Sequence, residues 1–326
     1  MTIHSRRKFL GTTTTLAAAA SVPAMLLSPT RASAQAVPKE FKIGWQKGSG
    51  VLVLAKHQQV FEKRLKPLGV ENIKWVEFQF GPPLLEALGL GAVDIGAVGD
   101  TPPIFAQAAG AKLVYVASTP ASQNAILVPK DSPIKTVAAL KGKRVAFGKG
   151  SSSHALLVRA LAHAGLAPKD ITEVHLAPAD ATAAFTGGRV DAWVVWDPFF
   201  AIAEQRYNAR VLIDTKAPHL VSDSFWLANR GFAESYPTVL SAALEEIGKL
   251  VAWAGGNRKE FAEFYSKETS VPLEPIQAAF QRAEYAWGPV TDRHIESQRQ
   301  LAATFYDLGI VPKKVDPKDI VWKAPA

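Results

Sequence analysis

RVAFGKGSSSHALLVRALAHAG, Arg144 to Gly165, decides how the rest of the chain is read. A β-rich run, Arg144 to Lys149, leads into a glycine and three serines. A helix-length apolar segment follows from about Ser153 to Ala164, with Gly165 as its C-terminal stop. The same strand, turn and helix grammar recurs on both sides. Downstream, EVHLAP (Glu173 to Pro178), DAWVVWD (Asp191 to Asp197) and ARVLID (Ala209 to Asp214) predict strands, with helices over Ala179 to Phe185 and Pro198 to Arg206. Upstream, FKIGWQ (Phe41 to Gln46), IKWVEFQF (Ile73 to Phe80), VDIGAVG (Val93 to Gly99) and LVYVAS (Leu113 to Ser118) alternate with helices over Leu52 to Leu65, Pro83 to Leu90 and Pro103 to Ala109. Such alternation builds α/β layers of largely parallel sheet, whose ligands sit at the carboxyl ends of strands.

Two α/β series are therefore present, followed by a tail that turns helical after Gly231, with helices at Pro237 to Ala254, Arg258 to Glu268, Pro272 to Ala283 and Asp292 to Leu308. No repeat or low-complexity linker separates the series. Extended segments near Ala125 to Lys130 and Ser222 to Arg230 are candidate crossings if the tail packs back on the first lobe. A two-lobed clamshell with two hinge-crossing strands fits this pattern better than separate beads. The expected division is residues 35–127 for the first part of lobe 1, 128–224 for lobe 2, and 225–326 for the return to lobe 1 and the C-terminal helices.

The first 34 residues belong to neither lobe. They carry Arg6, Arg7 and Lys8, an apolar stretch from Leu16 to Leu27 and the small-residue sequence Ala32-Ser33-Ala34, which together predict an export signal cleaved near Ala34. Ser5-Arg6-Arg7-Lys8-Phe9-Leu10 has the twin-arginine form. Pro23 interrupts the apolar run, which falls short of the ~20 residues of a spanning helix. Together with Arg31 these basic residues supply half of the chain's formal net charge of +8. The remaining excess is scattered among acids without a basic run, which argues against a nucleic-acid face and leaves a mild field favouring anions. The chain has no cysteine, which excludes disulfides, thiolate metal sites and a lipidated anchor. The expectation is a freely diffusing periplasmic monomer.

Candidate chemistry sits in the turns. KGSSSHALL (Lys149 to Leu157) lacks the Lys-Ser/Thr that ends a P-loop and the G-x-S-x-G of a hydrolase elbow. Any of Ser151, Ser152 and Ser153 can serve as a helix N-cap, worth about 1 kcal/mol. Because the turn follows a strand, it is also a candidate anion seat together with Gly150, built from free N–H groups and the positive helix end. Gly99-Asp100-Thr101-Pro102-Pro103 and Gln46-Lys47-Gly48-Ser49-Gly50 repeat that placement in the first series. Trp196, at the end of its strand, is placed to wall a pocket, and Asp180 opens another helix, where an N-cap role is the simpler assignment. A hydrolase using Ser152 with His154 or His175 is the competing class. His57, His154, His163, His175, His219 and His294 show no metal-ligand spacing, so no metal or cofactor is expected.

Three stretches, FGPPLLEALGLGAVDIGAVGDTPPIFAQAAGAKLVYVAS, VPKDSPIKTVAALKGKRVAFGKGSSSHALLVRALAHAGL and PADATAAFTGGRVDAWVVWDPF, together resemble the aliphatic-sulfonate-binding proteins of ABC importers, in the wider group with taurine- and nitrate-binding proteins. The resemblance runs from about Lys42 to Ala203 and is weaker past Gly231. It implies a type II periplasmic binding protein without catalytic activity, which captures a small organosulfonate and delivers it to an inner-membrane permease. It maps ligand contacts onto Gln46, Lys47, Gly99, Asp100, Thr101, Gly150, Ser151, Ser152, Ser153, Asp180 and Trp196. A carboxylate beside an anion is awkward. Asp100 is therefore expected either to pair with Lys47 or to meet an amino group on the ligand, as in taurine.

Overall fold

Ten strands divide into two sheets made by one recipe. In chain order they are β1 (Glu40–Trp45), β2 (Asn72–Glu77), β3 (Ile95–Gly99), β4 (Leu113–Pro120), β5 (Asn124–Val128), β6 (Arg144–Phe147), β7 (Thr172–His175), β8 (Ala192–Trp196), β9 (Arg210–Asp214) and β10 (Asp223–Asn229). The first sheet has the order β2-β1-β3-β10-β4 and the second β7-β6-β8-β5-β9. In each, three strands run parallel and a fourth is inserted antiparallel between them and the edge: β10 against β3 and β4, β5 against β8 and β9. This computed structural model describes residues 37–324; the export signal and its cleavage near Ala34 lie outside the described residues.

The helices are α1 (Gly50–His57), α2 (Val60–Leu65), α3 (Gly81–Gly89), α4 (Thr101–Ala108), α5 (Ser152–His163), α6 (Pro178–Thr186), α7 (Phe199–Arg206), α8 (Arg230–Ser235), α9 (Pro237–Gly256), α10 (Arg258–Thr269), α11 (Leu273–Arg282) and α12 (Asp292–Asp307). The single helix expected over Leu52 to Leu65 is broken, because Gln59 takes a left-handed backbone with φ 53°. β5 and most of β8 are buried throughout, as central strands covered on both faces must be, and their continuous Val, Ile, Leu and Trp content follows from that. Ile126, Val145 and Leu157 form the core on one face of the second sheet, with Phe185, Trp193 and Phe200 on the other.

The helical tail packs back on the first sheet: Leu240, Ile247, Phe261 and Tyr265 share a core with Phe41, Ile43 and Ile95. The crossings themselves differ from the expected ones. The boundary at 127/128 divides β5, whose ladder partners all lie in the second sheet, so the outward passage is residues 121–123. The boundary at 224/225 divides β10, which pairs only with β3 and β4, so the return passage is residues 215–222. Ala125 to Lys130 and Ser222 to Arg230 are inserted sheet strands, and the polar residues just before each make the turn. An apolar strand run marks where a sheet needs filling, not where the chain leaves it.

Candidate functional site

Between the two sheets lies a cavity of about 220 Å³. Its wall is assembled from strand ends of both lobes: Gln46 and Gly48 to Leu52 after β1, Gly99 at the end of β3, Ser152 after β6 and Trp196 at the end of β8, closed by the outward passage and by Phe280 and residues 283–286 of the tail. Among the described residues no lysine, arginine or histidine side chain lines it. Anything anionic held here is held by neutral donors and oriented peptides.

Four helices begin near the cleft, and they are not equivalent. α3 and α4 each carry Pro-Pro in their first turn, at Pro82-Pro83 and Pro102-Pro103, which removes two of the four free N–H groups a helix start offers. The two starts pack on each other so closely that a Cβ on Gly81 would lie 2.7 Å from Pro102 Cγ. α1 and α5 keep their donors. At α1 the Gly50 N–H reaches back to Gly48, Leu52 and Val53 bond to Ser49, and the Val51 N–H has no acceptor among the described residues. At α5 the Ser151 and His154 N–H groups are used within the turn, which leaves those of Ser152 and Ser153 free. One donor-bearing helix end thus comes from each lobe.

Of the residues singled out from the sequence, Gln46, Gly99, Ser152 and Trp196 line the cavity. Gln46 donates from Nε2 to the Ala97 carbonyl at 2.9 Å, and Ser152 Oγ donates to Asn124 Oδ1 at 3.1 Å. The other seven lie off its wall. Lys47 is exposed and pairs with Glu77 at 3.5 Å, while its carbonyl accepts from the Tyr265 hydroxyl. Gly150 (φ 74°) packs on Pro82 and Phe105. Ser151 and Ser153 are buried and bonded to each other at 2.7 Å, with Ser151 Oγ also donating to the Gly148 carbonyl. Asp180 is exposed on α6.

Asp100 does not pair with Lys47. It is buried and meets Arg159 of α5 at 3.2 Å, and Thr101 Oγ1 donates to its other oxygen at 2.9 Å. Burial pushes its carboxyl above the usual range, and Arg159 only partly offsets this. The pair joins the lobes. A second link does the same across the cleft: Arg282 of α11 holds Asp197 through Nε at 2.7 Å and through Nη2 at 2.9 Å, and reaches Glu204 of α7 at 2.9 Å. Burial pushes Asp197 up to about 6 against the pull of Arg282. Sequence spacing carries no sign of either link, because each joins residues that meet only once the lobes are stacked.

The hydrolase constellation is not assembled. Ser152 Oγ is bonded to Asn124, whereas His154 Nδ1 accepts from the Gly150 N–H inside an aromatic cage of Phe105, Phe147 and Phe305, and His175 sits beside Glu173. Burial pushes His154 down to about 4, which keeps it neutral. Among the described residues no group of three or more His, Asp or Glu is arranged to hold a metal ion. Wall residues that the sequence reading passed over are Ser122 and Gln123 in the outward passage, Asn124 at the start of β5, and Glu284 and Tyr285 after α11. The polar interruption SQN between two apolar strand runs was the available signal for the first three; nothing marked the last two.

Residues 76–253 match the family described as NMT1/THI5 like. A curated relative from Escherichia coli (strain K12), named for binding aliphatic sulfonates, is 44% identical over 295 residues, covering 89% of this chain and 91% of the relative. The solved alkanesulfonate-binding protein of Xanthomonas axonopodis pv. citri bound to MOPS is 37% identical with a TM-score of 0.83, over 89% of this chain and 100% of that one. The crystal structure of the periplasmic aliphatic sulphonate binding protein from Escherichia coli is 43% identical with a TM-score of 0.77, over 89% and 94%.

Proposed function

This chain belongs to the NMT1/THI5-like family and to the aliphatic-sulfonate-binding proteins, and from that premise we propose that it captures a small organosulfonate between its lobes and hands it to a membrane permease. One observation carries this reading: the donor-bearing starts of α1 and α5, one from each lobe, share a cavity whose wall holds no cationic side chain. A sulfonate is a permanent monoanion whose oxygens only accept hydrogen bonds, so it asks for donors and for no proton acceptor. Peptide N–H groups at helix starts and the Gln46 amide supply donors, joined by the Ser152 hydroxyl once it turns from Asn124 Oδ1 to the ligand, and each hydrogen bond to the charged group is worth roughly 1.5 to 3 kcal/mol. The organic tail lies against Trp196, Phe261 and Phe280.

Calorimetry of the mature chain against methanesulfonate, longer alkanesulfonates, taurine, sulfate, phosphate and nitrate tests the reading. Organosulfonates are expected to bind and to raise the melting temperature with concentration. Binding of nitrate or phosphate without any organosulfonate would refute it. The same reading makes residues 1–34 a twin-arginine export signal removed near Ala34, and the mature chain a monomeric shuttle without catalytic activity of its own. Intact mass and sedimentation of the exported protein check the first two points. Loss of export on replacing Arg6 and Arg7 with lysine identifies the route.

A further inference from the structure

We propose, resting on the capture of an organosulfonate argued above, that Glu284 selects sulfonates that also carry a cationic amine, the zwitterionic aminoalkanesulfonates. Among the described residues the cavity wall holds two carboxylates and no basic side chain: Asp197 and Glu284. They differ in commitment. Asp197 is bound twice by Arg282 and accepts the Ala201 N–H at 3.1 Å, so its charge is spent inside the protein. Glu284 has no hydrogen bond or ion pair among the described residues, and it is exposed where the tail segment 283–286 closes the wall.

A simple alkanesulfonate brings its charge into this wall with no side-chain cation to meet it, and the one uncommitted charge it finds repels it. A ligand with an ammonium on its tail reverses that sign. Its sulfonate keeps the neutral donors of α1 and α5, its ammonium faces the Glu284 carboxylate, and its net charge is zero. The nearby wall is receptive to a cation as well. Trp196 lines the cavity with no basic side chain over its ring among the described residues, whereas the Tyr285 ring is already covered by Arg258 at 5.1 Å. Because Glu284 is exposed, solvent screens the attraction, and it discriminates between ligands by a modest factor without dominating affinity.

The test uses taurine and propanesulfonate, which differ by an ammonium in place of a methyl group of similar size, titrated by calorimetry into the mature chain. Glu284→Gln is expected to lower the taurine-to-propanesulfonate affinity ratio about fivefold while propanesulfonate binding holds or improves. Glu284→Lys should carry the ratio further in the same direction. A ratio unmoved by both substitutions overturns the inference, as does an equal loss for both ligands, which would make Glu284 a structural residue. If the unaltered protein binds propanesulfonate but not taurine, this inference falls and organosulfonate capture stands. If it binds neither of these nor any other organosulfonate, the capture reading fails first and takes this one with it.

Discussion

The starts of α4 and α5 each follow a parallel strand of their own sheet, β3 and β6, and face one another across the divide, yet they do opposite work. At α4 two of the donors are deleted by Pro102 and Pro103, and the turn is sealed by the Asp100–Arg159 pair. At α5 the serines fold the turn inward through Ser151 and Ser153 and leave Ser152 on the cavity. The two turns nearly touch: a Cβ on Gly99 would lie 2.8 Å from Ser152 Cβ. A shared position at the end of a parallel strand gives a turn the opportunity to bind, and local chemistry decides between a seat and a clasp.

That contrast breaks hardest at Arg159. Its replacement by alanine leaves Asp100 buried without its partner, and a loss of about 3 kcal/mol in denaturant unfolding is expected. Adding Asp100→Asn to the same protein should recover most of it. If Arg159→Ala is neutral, the clasp is ornamental.

The next effect separates the two turns by pH. The fold holds His154 of α5 neutral, lowered from 6.5 to about 4, so its contribution to stability is full above pH 6.5 and is lost as pH falls through about 4. The size of that loss between pH 7 and 5 is on the order of 1 to 2 kcal/mol, and His154→Gln should remove it. Asp100 slopes the other way. Its raised pKa makes its contribution full below 3.8 and lost as pH rises through its folded value, so Asp100→Asn steepens the acid-side decline.

Gly99→Ala is expected to weaken alkanesulfonate binding about tenfold, since the added methyl meets a Cβ that cannot rotate away. Ser152→Gly in that background should restore closure. The smallest effects sharpen the assignment of the seat itself. Ser152→Ala should cost about 1 kcal/mol of binding, whereas Lys47→Ala and Asp180→Ala, off the wall, should leave calorimetric affinity unchanged.

The alternation of strands and helices, the two lobes and the return of the tail were legible because periodicity and turn residues are local properties. The loops at strand ends were legible for the same reason, and Gln46, Gly99, Ser152 and Trp196 came from them. What was hidden depends on how the lobes stack. Asp100 finds Arg159, and Arg282 finds Asp197, across 59 and 85 residues of sequence. Lys47 looked like an anion ligand by type and position, but its side chain turns to Glu77. The crossings were misplaced by a few residues because β5 and β10 are apolar for the sheet's sake, while the chain turns at the polar residues before them.

The wall without a cation also fixes what the rest of the cell can detect. A seat lined by a histidine or a desolvated lysine could take up a proton with its anion and so keep nearly the same net charge filled or empty. Here the loaded protein differs from the empty one by the whole charge of its cargo, and by nothing at all when the cargo is a zwitterion. Electrophoretic mobility would register the first and miss the second. A membrane partner faced with both must judge occupancy by shape alone.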